Sequence, residues 1–261
     1  GFVSATLVGD AKMIAEVCGK HGIDIAKFEI VDNPDELKAV AQAVKMVHDG
    51  EGDVLMKGLC STDKFLRAIL NKETGLLPPK ALLSHVGVIE SPNYHKLLFL
   101  TDMAVVPLPD LKQKMTLTNY VVKVAKSFGI AKPKVAFVAA SEQVLASMPA
   151  CLEAAALAKM ADRGQIKGCI ADGPLALDVA IDQESVEIKK LTSPVAGDAD
   201  CLVFPNIESA NVFWKTNSKL ADGVRQAGML VGTTAPCILA SRADSVDTKL
   251  NSIAEAVLSV L

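Results

Sequence analysis

The sequence predicts a layered α/β fold built around parallel strands. Strand and helix signals alternate along the chain with short connections, which is typical of a doubly wound sheet. Half of the 261 residues are apolar and only 4% are aromatic, with Ala, Val and Leu prominent. This mixture suits parallel strands that are buried on both faces. In the middle of the chain, the predicted strand pairing changes from parallel to antiparallel, which predicts a second domain inserted into the first.

The first part of the chain consists of repeated strand–helix units. Strands are predicted at 5–10, 28–31 and 53–56, and helices at 11–21, 35–49 and 62–70. The helix at 35–49 carries apolar residues at helical spacing along one side.

The middle of the chain differs, because two apolar runs at 82–89 and 96–100 are separated only by the turn Ser91-Pro92-Asn93. We expect these runs to form adjacent antiparallel strands. Helices at 111–128 and 151–161 and strands at 135–138, 168–171, 201–204 and 229–232 follow. We therefore predict a discontinuous first α/β domain, residues 1–77 and 227–261, and an inserted second α/β domain, residues 78–226.

Charge and cysteine content exclude several classes of function. The net charge is −3 and basic residues are scattered, so the chain has no electrostatic reason to bind nucleic acid or an anionic membrane. No apolar stretch approaches the length of a membrane span, and the N-terminus has no signal-peptide pattern. The six cysteines lie far apart, without zinc-ligand spacing, which favours a reducing cytoplasm over a disulfide framework.

The first candidate site follows the apolar run 237–240. Ser241, Arg242 and Asp244 come directly after this predicted strand, and a helix is expected from 248 to 261. An arginine can hold a phosphate through two parallel hydrogen bonds, and a helix N-terminus adds positive charge. The alternative is a Ser and an Asp that compete to cap the helix, with a solvated arginine beside them.

The second candidate site follows the predicted strand at 53–56. Lys57 and Gly58 stand at the strand end, where ligands bind in open α/β sheets. Thr62 begins a helix that carries Arg67 further along. The alternative reading is a lysine in a turn, an exposed arginine and a helix cap, the role that we favour for Thr62.

A third stretch combines turn residues with a carboxylate in an apolar neighbourhood. Asp172-Gly173-Pro174 predicts a turn, and Asp178 needs a partner to remain charged, so structural pairing is its favoured role. His85 is interpreted as a satisfied core residue, and nothing about the histidines indicates a metal site or a nucleophile–base pair. Neither a G-x-G-x-x-G motif nor a Walker A motif is present.

Several of these motifs occur together and in order along nearly the whole chain. They are Met56-Lys57-Gly58, Leu98-Phe99-Leu100-Thr101-Asp102, Asp162-Arg163-Gly164-Gln165-Ile166-Lys167-Gly168, Asp172-Gly173-Pro174-Leu175-Ala176-Leu177-Asp178, Pro205-Asn206-Ile207-Glu208 and Ser241-Arg242-Ala243-Asp244-Ser245. The set resembles the phosphate acetyl/butyryltransferase family, most closely its butyryltransferase branch.

The resemblance implies an α/β/α three-layer fold like that of isocitrate and isopropylmalate dehydrogenases, with two domains around a cleft and usually a dimer. It implies one further strand–helix unit before the first residue of this sequence. The reaction implied is reversible acyl transfer between coenzyme A and phosphate, with coenzyme A as substrate and no separate cofactor or metal. The acyl groups expected to be transferred are short-chain ones, butyryl above all.

The resemblance also implies roles for individual residues. Ser241 and Arg242 match the catalytic Ser-Arg pair of the acetyl enzymes, and Arg67 matches a second cleft arginine. The family's catalytic aspartate would fall at Thr248 without a gap, so either Asp244 or Asp247 takes its role or the role is lost in this chain. Lys57, Gly58 and Thr62 are expected to bind phosphate or acyl phosphate beside Arg67, while Asp102, Asp172 and Asp178 are placed in the cleft without an assigned role.

Two other functions remain open from the sequence. One is a metal- and NAD-dependent hydroxy-acid dehydrogenase of the same fold, which would need acidic ligands such as Asp172, Asp178 and Asp244. The other is a non-catalytic module that binds acyl-CoA.

Overall fold

The computed structural model, which describes residues 2–241 and 244–261, confirms the predicted α/β fold. The strands are β1 Thr6–Gly9, β2 Glu29–Asp32, β3 Leu55–Met56, β4 Ser84–Glu90, β5 Leu98–Thr101, β6 Lys134–Val138, β7 Ile170–Leu175, β8 Cys201–Val203, β9 Arg225–Val231 and β10 Cys237–Ile238. The helices are α1 Ala11–Lys20, α2 Glu36–His48, α3 Thr62–Ile69, α4 Leu111–Ser127, α5 Pro149–Asp162, α6 Leu177–Ile181, α7 Gln183–Lys189, α8 Ile207–Leu220 and α9 Val246–Val260.

Most of the strands belong to one large sheet. β1 and β2 form a small parallel pair. The other strands of the described chain lie in the order β3-β10-β9-β4-β5-β8-β6-β7. β4 is antiparallel to both β5 and β9, and β9 is antiparallel to β10, whereas the remaining neighbours are parallel. The predicted antiparallel pair at 82–89 and 96–100 is therefore confirmed as β4 and β5.

Side chains of the large sheet alternate between two helical layers. On β6, Val135 and Phe137 pack in a core with residues of α4, α5 and α9. Ala136 and Val138, which point the other way, pack in a second core with residues of α6, α7 and α8. Because helices cover both faces, the strands are uninterrupted aliphatic runs, and the molecule has three layers.

The division into domains stays a prediction. The border between residues 226 and 227 lies within β9. This strand is joined to β4 by continuous register pairing from Ser84–Val231 to Glu90–Arg225.

One predicted turn is wrong, and the predicted last helix is confirmed with a start two residues earlier. Asp172-Gly173-Pro174 is part of β7 and not a turn. β7 ends the strand order, and its register with β6 shifts between Ala136 and Val138, so a proline without an N–H is tolerated there. Gly173 is needed because a Cβ there would lie 2.7 Å from the Cβ of Phe137.

The last helix begins at Val246 and not at residue 248. Ser245 is its N-cap, and the Ser245 hydroxyl accepts a hydrogen bond from the Thr248 N–H at 3.1 Å. Within the part of the chain that the structure describes, no helix is both long enough and apolar enough to cross a bilayer.

Candidate active site

Two candidate motifs from opposite ends of the chain meet at one edge of the sheet. β3 and β10 are parallel neighbours, with Leu55 paired to Cys237 and Met56 to Ile238. The pairing continues past β3, because the Lys57 N–H donates to the Ile238 carbonyl at 3.0 Å. Parallel strands end at the same edge, so the Lys57–Gly58 segment lies beside the segment that leads from β10 to Ser241.

Ser241 and Asp244, which follow β10, are joined by two hydrogen bonds. Oδ2 of Asp244 accepts a hydrogen bond from the Ser241 N–H at 2.7 Å, and the Asp244 N–H donates to the Ser241 carbonyl at 3.1 Å. Arg242, which the sequence predicts as the catalytic arginine, lies outside the described residues. Asp247 is exposed in the first turn of α9, where a helix N-terminus favours negative charge. Asp244 and Asp247 therefore both remain candidates for the catalytic carboxylate.

Lys57 shapes the loop that follows β3. The side chain is buried, and Nζ donates to the carbonyls of Gly58 and Cys60, each at 3.1 Å. Two of the three N–H groups of the ammonium are thus used within the loop. A Cβ at Gly58 would meet no described atom within 4 Å, so this position leaves open space for a ligand. Phosphate binding by Lys57 and Gly58 remains a prediction.

The helix after this loop is capped by Ser61 and not by Thr62. The Ser61 hydroxyl accepts a hydrogen bond from the Lys64 N–H at 3.3 Å, and Thr62 is the first helical residue. The cap is one residue earlier than predicted because the chain already enters the helix at Thr62. The Thr62 side chain is exposed and is not needed for capping.

Arg67 lies on the solvent side of α3. Its Nε donates to the Asp63 carboxylate at 3.1 Å, and its side chain is 80% exposed. The buried face of the helix is formed by Phe65 and Ile69, two residues to either side. Convergence of Arg67 with Arg242 on one phosphate remains a prediction.

Asp102 is buried at the end of β5 and is fully hydrogen-bonded. One oxygen accepts the N–H groups of Ala104 and Val105, at 2.7 and 2.9 Å. The other accepts the hydroxyl of Ser84 at 2.8 Å and the N–H of Val106 at 3.1 Å. These four hydrogen bonds compensate for the burial of the Asp102 carboxylate.

His85 lies on β4, two strands from β10 in the sheet order. It is buried as predicted, but its ring contact is with a sulfur, Met103 Sδ at 2.7 Å from Nδ1. Burial lowers the pKa of His85 below its ordinary value, while the charges of Asp102 and Asp244 oppose this shift. The neighbouring residue Ser84 connects β4 to the end of β5, because its hydroxyl donates a hydrogen bond to the Asp102 carboxylate at 2.8 Å.

Asp172 and Asp178 are not brought to this region. Asp172 lies on β7, six strands from β10 in the sheet order, which corresponds to roughly 29 Å at about 4.8 Å per strand. The predicted structural pairing of Asp178 is confirmed, since its carboxylate lies 2.8 Å from Lys189 Nζ. Hydrogen bonding to this lysine lowers the pKa of Asp178. Its surroundings differ from the prediction, because the side chain is exposed.

The positions of these carboxylates argue against the dehydrogenase alternative. The three carboxylates that it would require, Asp172, Asp178 and Asp244, do not form one cluster. Among residues 2–241 and 244–261, no group of three or more His, Cys, Asp or Glu side chains could hold a metal ion.

Cys60, beside Lys57, is a poor nucleophile because burial raises the pKa of its thiol.

Comparison with known proteins agrees with this geometry. The family model described as phosphate acetyl/butaryl transferase matches residues 3–257. The phosphate butyryltransferase of Clostridium acetobutylicum is 50% identical over 258 residues, which cover 99% of this chain and 85% of that protein. A branched-chain phosphotransacylase from Enterococcus faecalis V583 superposes with a TM-score of 0.84 at 27% identity, covering 98% of this chain and 99% of that one.

A more distant likeness concerns the fold alone. The 4-hydroxythreonine-4-phosphate dehydrogenase of Klebsiella pneumoniae has a TM-score of 0.57 at 10% identity, covering 98% of this chain and 90% of that chain. The family model and the 50% identity together place this chain in the phosphate acetyl/butaryl transferase family.

Proposed function

We propose that this protein transfers short-chain acyl groups, butyryl above all, reversibly between coenzyme A and inorganic phosphate. One structural observation carries the proposal: the parallel pairing of β3 with β10 sets the Lys57–Gly58 loop beside the segment that leads from β10 to Ser241. Because ligands bind at the carboxyl ends of strands in open α/β sheets, we place phosphate and thioester at this edge.

The reaction is a direct displacement. The coenzyme A thiolate attacks the carbonyl carbon of the acyl phosphate, a C–S bond forms, and the C–O bond to phosphate breaks. Phosphate leaves with the bonding electron pair, and the thiol proton passes to a carboxylate. In the reverse direction, phosphate attacks the thioester and the thiolate leaves.

Each step has a candidate group in this chain. Arg242 and Arg67 would neutralise the charge that develops on phosphate, and Ser241 would hydrogen-bond the thiol or the tetrahedral oxyanion. Asp244 or Asp247 would accept the thiol proton, an effect worth about two to four powers of ten in rate. The thiol pKa of Cys60 is raised by burial, which favours direct transfer over an acyl-cysteine intermediate.

The central test is the release of free coenzyme A from acetyl-, butyryl- and hexanoyl-CoA, with and without phosphate. We expect release to require phosphate and to be fastest with the butyryl substrate. Release without phosphate would indicate a thioesterase, and binding without release would indicate the non-catalytic module. Either result would refute the proposal.

Arginine variants test the assigned roles. Arg242→Ala should lower kcat by about 10²–10³-fold, the usual cost of losing one transition-state contact, with an unchanged melting temperature. Arg67→Ala should raise the KM for phosphate more than it lowers kcat. Arg163→Ala, at the exposed C-terminal end of α5, is the matched control and should behave like wild type. Equal effects of all three substitutions would contradict these roles.

We further propose the predicted two-domain division, a homodimer or larger homo-oligomer, and a cytoplasmic location. The six free cysteines support a reducing compartment. Sedimentation velocity would test the oligomeric state. Activity with substrates and no added metal or nucleotide would test the expectation that coenzyme A is a substrate and that no separate cofactor takes part.

A further inference from the structure

A cavity of about 190 Å³ lies between the large sheet, α9 and the end of α4. None of the described candidate-site residues lines it, so the proposed reaction leaves it without a role. Most of its wall is apolar, which favours an apolar ligand body over water. The apolar lining residues are Val88, Leu97, Phe128, Ala227, Ala254 and Leu258.

Glu255 is the polar residue of this wall whose side chain has no partner. Neither of its carboxyl oxygens has a hydrogen-bond partner among residues 2–241 and 244–261, and only 1% of the residue is exposed. The other polar side chains of the wall are engaged elsewhere. Arg225 pairs with Glu90 at 3.1 Å, Nδ2 of Asn251 donates to the Gln226 carbonyl at 3.5 Å, and Nε2 of Gln226 donates to a backbone carbonyl of α8 at 3.0 Å.

Glu255 lies on the face of α9 that forms the cavity wall. Asn251 precedes it by four residues and Leu258 follows it by three, and residues with this spacing share one face of a helix. Both of them line the cavity. The helix is fixed against the sheet, because the Ser252 hydroxyl accepts a hydrogen bond from the Gly228 N–H on β9 at 3.0 Å. The unpartnered carboxyl therefore belongs to the cavity and not to the solvent face of α9.

The chemistry of the wall specifies what the cavity would hold. A buried carboxyl without a donor or a cation is costly, and an ammonium group supplies both a positive charge and N–H donors. Burial raises the pKa of Glu255, and no charge among the described residues opposes this shift, so the missing partner is a cation. A cavity of about 150 Å³ admits benzene. The volume of about 190 Å³ is therefore suited to a ring or a short alkyl chain with one amino group.

We propose that this cavity is a binding site for a small organic amine, whose ammonium group pairs with Glu255 and whose apolar body fills the space between α9 and the sheet. The exposed side chains of Glu90 and Arg225 mark the side of the cavity that faces solvent, where the ligand would enter. The inference goes beyond the proposed function and does not depend on it, because no described candidate-site residue takes part.

Calorimetric titration at pH 7 with two matched compounds tests the proposal. Benzylamine carries a positive charge at this pH, whereas benzyl alcohol has the same size and no charge. Glu255→Gln keeps the shape of the side chain but removes its charge, and Ala254→Leu narrows the cavity. Glu16→Gln, at an exposed position on α1, is the matched control for the loss of one carboxylate. The melting temperature of each variant shows whether it is folded.

We expect wild type to bind benzylamine more tightly than benzyl alcohol by roughly ten- to a hundredfold, the usual value of a hydrogen bond to a charged group. Glu255→Gln should lose this preference, because it has no charge to pair with the ammonium group. Ala254→Leu should weaken the binding of both compounds, because the apolar space is reduced. Glu16→Gln should bind both compounds as wild type does.

Two results would overturn the inference. One is a wild type that binds neither compound, or binds both equally well, which would mean that the cavity holds only water or an apolar group. This comparison needs no variant, so it stays decisive if Glu255→Gln does not fold. The other is a Glu255→Gln variant that keeps the preference of wild type for benzylamine. Absence of acyl transfer by wild type would refute the proposed function and leave this inference unchanged.

Discussion

Replacement of Glu255 by leucine should stabilise this protein. Glu255 lies on α9 and is fully buried, and neither of its carboxyl oxygens has a hydrogen-bond partner among residues 2–241 and 244–261. It forms part of the wall of a cavity of about 190 Å³, whose other lining residues include Val88, Phe128 and Leu258. Burial raises the pKa of the carboxyl well above its ordinary value of 4.5, and no cation among the described residues opposes this shift.

The expected gain has two parts. A buried polar group without a partner costs about 1–3 kcal/mol, whatever the pH, and leucine removes this cost. The second part depends on pH, because the folded state holds a proton that the unfolded state releases above pH 4.5. A group whose folded pKa is raised loses stability as the pH rises, here by up to about 1.4 kcal/mol per pH unit until the folded pKa is reached.

The assay is urea unfolding of wild type, Glu255→Leu and Glu255→Gln between pH 5 and pH 8. The leucine variant should be the most stable at every pH, and its advantage over wild type should widen as the pH rises. The glutamine variant keeps an unpaired polar group but cannot ionise, so it isolates the pH-dependent part. Glu16→Leu, at an exposed position on α1, should stay within about 0.5 kcal/mol of wild type.

Two outcomes would refute this reasoning about Glu255. One is a leucine variant that is no more stable than wild type at pH 7. The other is a difference between wild type and the leucine variant that stays constant from pH 5 to pH 8, since an unpaired buried carboxyl cannot behave in that way.

Three further predictions concern the site and its supports. Asp244→Asn and Asp247→Asn should lower kcat unequally, and the larger loss, measured with butyryl-CoA and phosphate, identifies the general base; equal activity in both would leave that role unfilled. Ser61→Ala should cost about 1 kcal/mol in urea unfolding through loss of the α3 cap, and an unchanged midpoint would contradict the capping role. Gly173→Ala should lower the melting temperature because its Cβ would meet Phe137, whereas Gly19→Ala, which meets no described atom within 4 Å, should not; similar melting of both variants would argue against close packing at β7.

The fold class could be predicted because it depends on local patterns. Alternating aliphatic runs and amphipathic segments specify strands and helices one by one, and the turn at Ser91-Pro92-Asn93 specifies that β4 and β5 are antiparallel. Errors arose where local chemistry was ambiguous. Asp172-Gly173-Pro174 has turn residues, but an edge strand with a shifted register accepts them.

Only part of the candidate site could be predicted from such local patterns. Residues at strand ends, such as Lys57 and Ser241, could be singled out because ligands bind at those ends in α/β sheets. The strand order that sets β3 next to β10 depends on pairing between segments far apart in the chain, which no local pattern encodes.

The sequence by itself therefore determined the class of fold, the family and the segments that carry chemistry. Only the tertiary structure decided which side chains are neighbours: it paired Asp178 with Lys189, away from Asp244, and it joined Ser84 on β4 to Asp102 at the end of β5. The physical reason is that the burial of a side chain, its hydrogen-bond partners and the electric field around it depend on sheet order and register. Neither sheet order nor register can be read from the spacing of residues along the chain.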